Sequence, residues 1–179
     1  MLSPIQRAAA TSVTLMAAGD VISQAIARRR APPGPGRHAD LDLARTARFA
    51  AIGLLHGPFF YKGFRLLDAR FGAERTLRAA ATKTLVGQVT LFPVFTSLFL
   101  MATALLEGAG PRAGVSRVAD KAPGLLVAGT AYWPAVNMVS FMLVPPERRV
   151  LAVNVAAIGW NAYLSFVAAP PAAEPAAGK

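Results

Sequence analysis

An acid inside an apolar run is the first residue that calls for a chemical account. Asp20 stands in the stretch 8–27, which is otherwise free of charge. A carboxylate at the centre of a membrane helix costs roughly 3 kcal/mol on insertion scales. At 100° per residue, Ser12, Asp20, Ser23 and Gln24 fall on one helical face about 120° wide. That face must turn toward other helices or a wet interior. Two roles are open for Asp20: a pore-lining or gating carboxylate, or an interhelical hydrogen-bond node that fixes packing. The pattern recurs along the chain. Gln88, Thr96 and Thr103 share one side of a later stretch. Trp133, Asn137 and Phe141 align at i, i+4, i+8, and Asn154, Asn161 and Ser165 at i, i+7, i+11. Polar groups on one side of several apolar segments predict a shared polar interior. Hydrogen-bond glue between helices, worth only about 0.6 kcal/mol per contact, is the plainer account. The candidate pore-facing or interhelical polar residues are therefore Asp20, Gln24, Gln88, Asn137 and Asn161. Trp133, Phe141, Trp160 and Tyr163 are candidate packing or interface anchors.

Other chemistry has little to build on. Cysteine is absent, which removes disulfides, thiolate catalysis and cysteine-held zinc or iron–sulfur sites. The two histidines, His38 and His56, are too few for a histidine-rich metal site, and His56 reads as a packed or hydrogen-bonded side chain. No Ser/His/Asp order, carboxylate pair or glycine-rich phosphate loop occurs in a suitable context. No enzyme activity, catalytic residue, cofactor or metal is expected.

The elements that must position these residues follow from composition and run length. Hydrophobic residues make up 54% and charged ones 16% of the 179, against about 25% charged in a soluble domain. With a mean hydropathy of +0.43, there is too little polar material to coat a water-borne globule. Five apolar stretches stand out: 8–27, 49–67, 84–106, 124–144 and 150–169. Three of them carry no charge, and a spanning helix needs roughly 20 apolar residues. The stretch from Phe49 holds Lys62 and Arg65 near its end, where long side chains can snorkel to the interface. The expected fold is all-α, an integral membrane bundle of four to five hydrophobic helices in one domain over 1–169.

The connections fit this division. Ala31–Asp40 is rich in proline and glycine, Pro111–Pro123 reads as a polar loop, and Pro145–Arg149 as a short turn that makes a hairpin of the last two stretches. The tail 170–179 is proline- and alanine-rich and is expected to be disordered. Pro58, Pro93 and Pro134 lie inside apolar stretches and each removes one backbone hydrogen bond. Gly53 and Gly57 form a GxxxG pair that allows close helix approach. The first segment is read as a retained helix in preference to a cleaved presequence.

Lys and Arg number 19 against 9 Asp and Glu, a net charge of +10. The basic residues gather between the apolar stretches, where each contributes about 1 kcal/mol at anionic headgroups. No aromatics interleave with them as stacking platforms. Expected partners are the lipid bilayer and anionic headgroups at the basic loops, with a homo-oligomer as a further option and no nucleic acid. Basic residues divide nearly evenly between the two sides of a five-span arrangement, so orientation does not follow.

Several motifs in order resemble the Mpv-seventeen and peroxisomal-membrane-protein family of small multi-pass organelle membrane proteins. They are Gly19–Asp20–Val21–Ile22–Ser23–Gln24; Asp42 with Arg45, Arg48 and Phe49; Gly53 with Gly57–Pro58, then Asp68; and Lys83, Gln88 and Pro93. Trp133–Pro134, Phe141, Val144–Pro145 and Arg149 follow, then Trp160–Asn161, Tyr163, Leu164 and Ser165. The resemblance runs from about Gln6 to Phe166. Departures occur at Gly87, where the family usually has Asp, at Asn137 and Ser140, and at Tyr61 and Gly63. The resemblance implies a protein of the mitochondrial inner or the peroxisomal membrane, usually with four spans. It also implies a weakly selective channel for small hydrophilic solutes that contributes to organelle homeostasis; the alternative is a non-conducting scaffold or assembly partner. The ending Ala-Ala-Gly-Lys is no C-terminal peroxisomal address, which tilts the expectation slightly toward mitochondria.

Overall fold

A computed structural model describes residues 2–30 and 40–167, with the side chains of Arg30 and of residues 163–167 left aside. The tail 170–179 and His38 lie outside the described residues. Six α-helices follow in order: α1 (Pro4–Arg30), α2 (Leu43–Phe71), α3 (Leu77–Val89), α4 (Leu91–Leu106), α5 (Gly110–Leu143) and α6 (Arg149–Val167). A single 3-10 turn at Pro146–Arg148 joins the last two. The described residues are otherwise short connections.

Local chemistry sets the helix ends. Ser3 and Gln6 cap α1 reciprocally, Ser3 N donating to Gln6 Oε1 (2.8 Å) and Gln6 N to Ser3 Oγ (3.3 Å). The Asp42 carboxylate accepts from Arg45 N (2.7 Å) at the start of α2, and the Thr76 hydroxyl from Ala79 N (3.2 Å) at the start of α3. Gly72, at φ +88, ends α2 in a conformation that side chains with a Cβ rarely adopt.

Two expectations are corrected. The stretch 84–106 is not one straight helix, because α3 stops at Val89 and α4 begins at Leu91, with Thr90 at φ −120, ψ −69 between them. Pro93 explains the break: its ring clashes with the carbonyl of Val89, and it has no N–H to offer that carbonyl. Pro111–Pro123 is not a loop but the first turns of α5. Pro111 sits in the opening turn, where a missing N–H costs nothing. Arg117 pairs with Glu107 (2.7 Å) and Ser116 bonds Asp120 one turn on (3.1 Å). Gly114 faces Met101 and Ala104 of α4.

Contacts fix the directions. Ala8 of α1 lies against Gly57 of α2, and Gln24 against Asp42, so α1 and α2 are antiparallel. Leu67 approaches Gly87 and Phe49 approaches Phe99, so the α3–α4 rod reverses α2. Gln88 meets Thr130, and Met101 meets Gly114, so α5 reverses again. Ser12 meets Asn154 and Gly19 meets Ile158, which sets α6 parallel to α1. The chain therefore crosses the bundle five times. One end holds the finish of α1 and the start of α2; the other holds the finish of α2 and the starts of α3 and α6.

The bundle is inverted relative to a water-soluble fold. Leu54, Leu66, Leu85, Val89, Val127 and Val139 are exposed, while Ser12, Asp20, Lys83, Arg149 and Asn154 are buried. Among the described residues, three helical stretches are long and apolar enough to cross a membrane: 4–29, 77–106 and 110–143. Backbone groups in lipid must be satisfied internally, and an all-helical chain meets that condition.

Candidate functional site

A cavity of about 290 Å3 runs between the helices. Along α2 its wall extends from Arg45 to Leu67, a rise of roughly 33 Å at 1.5 Å per residue. That is about the thickness of a bilayer's hydrocarbon core. Aromatic rings make up much of the wall, Phe60, Phe95, Phe99, Trp133, Phe141 and Trp160 among them. Polar side chains reach it from five helices: Asp20 and Ser23 on α1, Arg45 and His56 on α2, Thr96 on α4, Asn137 on α5 and Asn161 on α6.

Asp20 is both wall and node. Its carboxylate accepts from Gln24 Nε2 and from Thr46 Oγ1, each at 2.7 Å, and lies 2.8 Å from Arg45 Nε. Gln24 does not border the cavity. Its amide instead clamps the start of α2, with Oε1 accepting from Asp42 N (2.8 Å) and Nε2 lying 3.1 Å from the Asp42 carbonyl oxygen. The polar face of α1 is thus spent on α2 at this end.

Gln88 also stands apart from the wall. Its Nε2 donates to Thr130 Oγ1 (3.3 Å), and its buried Oε1 has no partner. The shared face of Gln88, Thr96 and Thr103 is interrupted at Thr90: Thr96 borders the cavity, Gln88 does not, and Thr103 bonds the Phe99 carbonyl (2.6 Å). Gly87 does border it. Asn137 and Asn161 both line the wall. Trp133 and Trp160 lie 6.0 Å apart by ring centroids, with Tyr132 packed on each. The Trp133 indole N–H is buried without a partner. Tyr163 and Ser165 are helical in backbone, and their side chains lie outside the described residues.

Two clusters escaped the sequence reading. Asn154 Nδ2 donates to Ser12 Oγ (2.8 Å), which lies 3.2 Å from His56 Nδ1, tying α6, α1 and α2 together. His56 packs on Phe60 and Phe95. At the far end, the Asp68 carboxylate takes Lys83 Nζ (2.8 Å) on one oxygen and Arg149 Nη1 on the other. Both cations sit over the Phe141 ring, Lys83 Nζ at 5.1 Å and Arg149 Cζ at 4.9 Å from its centroid. Lys83 counted among the basic residues between apolar stretches and Arg149 closed the short turn after Pro145; both are fully buried. The available signal was positional: Asp68, Lys83 and Arg149 each adjoin the end of an apolar stretch.

An inside-out helical bundle with three helical stretches, among the described residues, long and apolar enough to cross a membrane defines a multi-span integral membrane protein. Comparison with known sequences narrows the class. The Mpv17 / PMP22 family profile matches residues 104–165. Protein SYM1 of Gibberella zeae is 32% identical over 166 residues, covering 92% of this chain and 90% of that protein. Protein sym-1 of Neurospora crassa is 35% identical, with 92% and 91% covered. The mitochondrial inner membrane protein Mpv17 of Danio rerio is 33% identical, with 88% and 86% covered. No solved structure matches. The chain belongs to the Mpv17 / PMP22 family. Its relatives favour an organelle membrane, the mitochondrial inner membrane first.

Proposed function

We propose that the protein is a weakly selective channel for small hydrophilic solutes, that the central cavity is its path, and that it performs no covalent chemistry on what passes. The observation carrying this reading is that polar side chains from five helices meet on one void. Polar groups lining a void within lipid are stabilised by water, and intramembrane polar residues commonly mark solute pathways. A volume of about 290 Å3 holds on the order of ten waters at about 30 Å3 each. The rings between the polar groups leave few hydrogen-bonding contacts to discriminate among solutes, which supports weak selectivity. Exposed basic residues such as Arg70, Arg75 and Arg78 are suited to anionic headgroups, and the exposed apolar faces leave room for a homo-oligomer.

Release of entrapped small sugars from proteoliposomes tests the reading. Faster release of small sugars than of a large dextran is expected, and it should fall when Asn137→Leu and Asn161→Leu are combined. Tight vesicles, or release indifferent to that pair, would contradict it.

A second reading, a non-conducting scaffold, is favoured by one observation: Asp20 and Gln24 are engaged by each other and by the start of α2. Their role is then packing alone. Tight vesicles together with a stably co-purifying membrane partner would select it.

A further inference from the structure

We propose that the cavity opens at one end only, and that Asp68, Lys83 and Arg149 bolt Phe141 across the other end as a gate. The inference rests on the channel reading for what passes through, while the experiment below reads the bolt itself.

The two ends of the cavity differ in exposure. At the Asp20 end, Arg45 borders the cavity with 39% of its side chain exposed. At the opposite end, the side chains of Lys83, Arg149 and Asp68 are 0%, 1% and 13% exposed. Phe141, which lines the cavity and lies under both cations, is itself 1% exposed. Water therefore has a charged mouth at one end and a ring beneath an ion cluster at the other.

Four helices converge on this cluster. Asp68 belongs to α2, Lys83 to α3, Phe141 to α5 and Arg149 to α6. Lys83 Nζ also donates to the Gly72 carbonyl (2.9 Å), and Arg149 Nε to the Val144 carbonyl (3.3 Å). One carboxylate thus ties α2, α3 and α6 together over a ring of α5. The cluster carries two cations for one anion, and Arg149 Nη2 is buried with no hydrogen-bond partner. Buried charge is costly unless it is fully paired. A balanced pair would make a permanent staple; an unbalanced one, with an orphaned donor, sits closer to a second arrangement in which the cations gain water or an anion. Switching elements are bistable in this sense. Withdrawing the Asp68 charge leaves two facing cations with nothing between them and frees the ring.

The absence of cysteine makes a single introduced thiol a clean reporter. Asn137→Cys is placed on the cavity wall and reconstituted in vesicles. A charged, membrane-impermeant methanethiosulfonate is applied from one face with a thiol quencher on the other. Labelling is expected to be much faster from the Asp20 face, the Phe141 face being reached only during brief openings. Adding Asp68→Asn should raise labelling from the Phe141 face by about tenfold or more, equivalent to roughly 1.4 kcal/mol in the closed–open balance. Asp68→Glu, which keeps both pairings, should stay closed. If the Asn variant does not fold, Phe141→Ala on the same background opens the same face with the charges intact. Equal labelling from both faces before any bolt substitution overturns the proposal, as does labelling unmoved by Asp68→Asn or, in its place, Phe141→Ala. Bolt-dependent labelling in vesicles that pass no solute would sink the channel reading and keep the bolt. Solute release with bolt-independent labelling does the reverse.

Discussion

Gly57→Ala puts the packing of α1 on α2 to a quantitative test. A Cβ at Gly57 would lie 2.3 Å from the Ala8 carbonyl oxygen, 2.5 Å from its carbon and 2.7 Å from Ala9 N. All three are backbone atoms, so no side chain can rotate aside. Ordinary contact begins near 3.4 Å, and the helices must part by about 1 Å, an overpacking worth about 1–3 kcal/mol. Parting them also stretches the Ser12–His56 contact one turn away, already 3.2 Å. At about 2–4 °C per kcal/mol for a chain of this size, a central cost of about 2 kcal/mol lowers Tm by about 4–8 °C. Thermal unfolding in detergent, followed by the fluorescence of Trp133 and Trp160, measures it. Gly124→Ala is the control, since nothing lies within 4 Å of a Cβ there and alanine is favoured over glycine in a helix by about 1 kcal/mol. Gly57→Ala melting at or above the wild type would refute the packing argument.

Further outcomes follow from the same contacts. Arg45→Ala should destabilise more than Asp20→Asn, because it strands a buried carboxylate whereas the amide keeps an acceptor for Thr46; the two melting temperatures decide the order. Ser12→Ala leaves both Asn154 and His56 short of a partner and should cost about 1–3 kcal/mol, read as a fall in Tm. Gln88→Ala should leave solute release unchanged, since Gln88 faces Thr130 rather than the cavity. Gly87→Asp places an acid on the wall, where the nearest side-chain atom is Leu67 Cδ1 at 3.5 Å. It should shift reversal potentials toward cation selectivity.

The helices were legible because lipid demands long uncharged runs, and each stretch left its imprint in residue order. The polar face of α1 and the Gly53–Gly57 approach were legible too, since both depend only on helical period. Pairings across the bundle were not. Asp68 finds Lys83 15 residues away and Arg149 81 away, and helical period says nothing about partners that packing alone selects. Which of its two readings Gln88 takes, interhelical rather than cavity-facing, was not legible, because a helical face persists only while the helix does and the break at Thr90 ends it. Pro111–Pro123 looked like a loop because its charges and prolines are loop-like in isolation. The start of a helix admits the first proline, and pairing with Glu107 compensates Arg117.

Conductance across a planar bilayer measures the central claim most directly. The account predicts discrete openings from the purified wild-type chain, abolished or strongly reduced when Asn137→Leu and Asn161→Leu are combined and unaffected by Gln88→Ala. A silent wild type, or currents that survive loss of both asparagines, would contradict it.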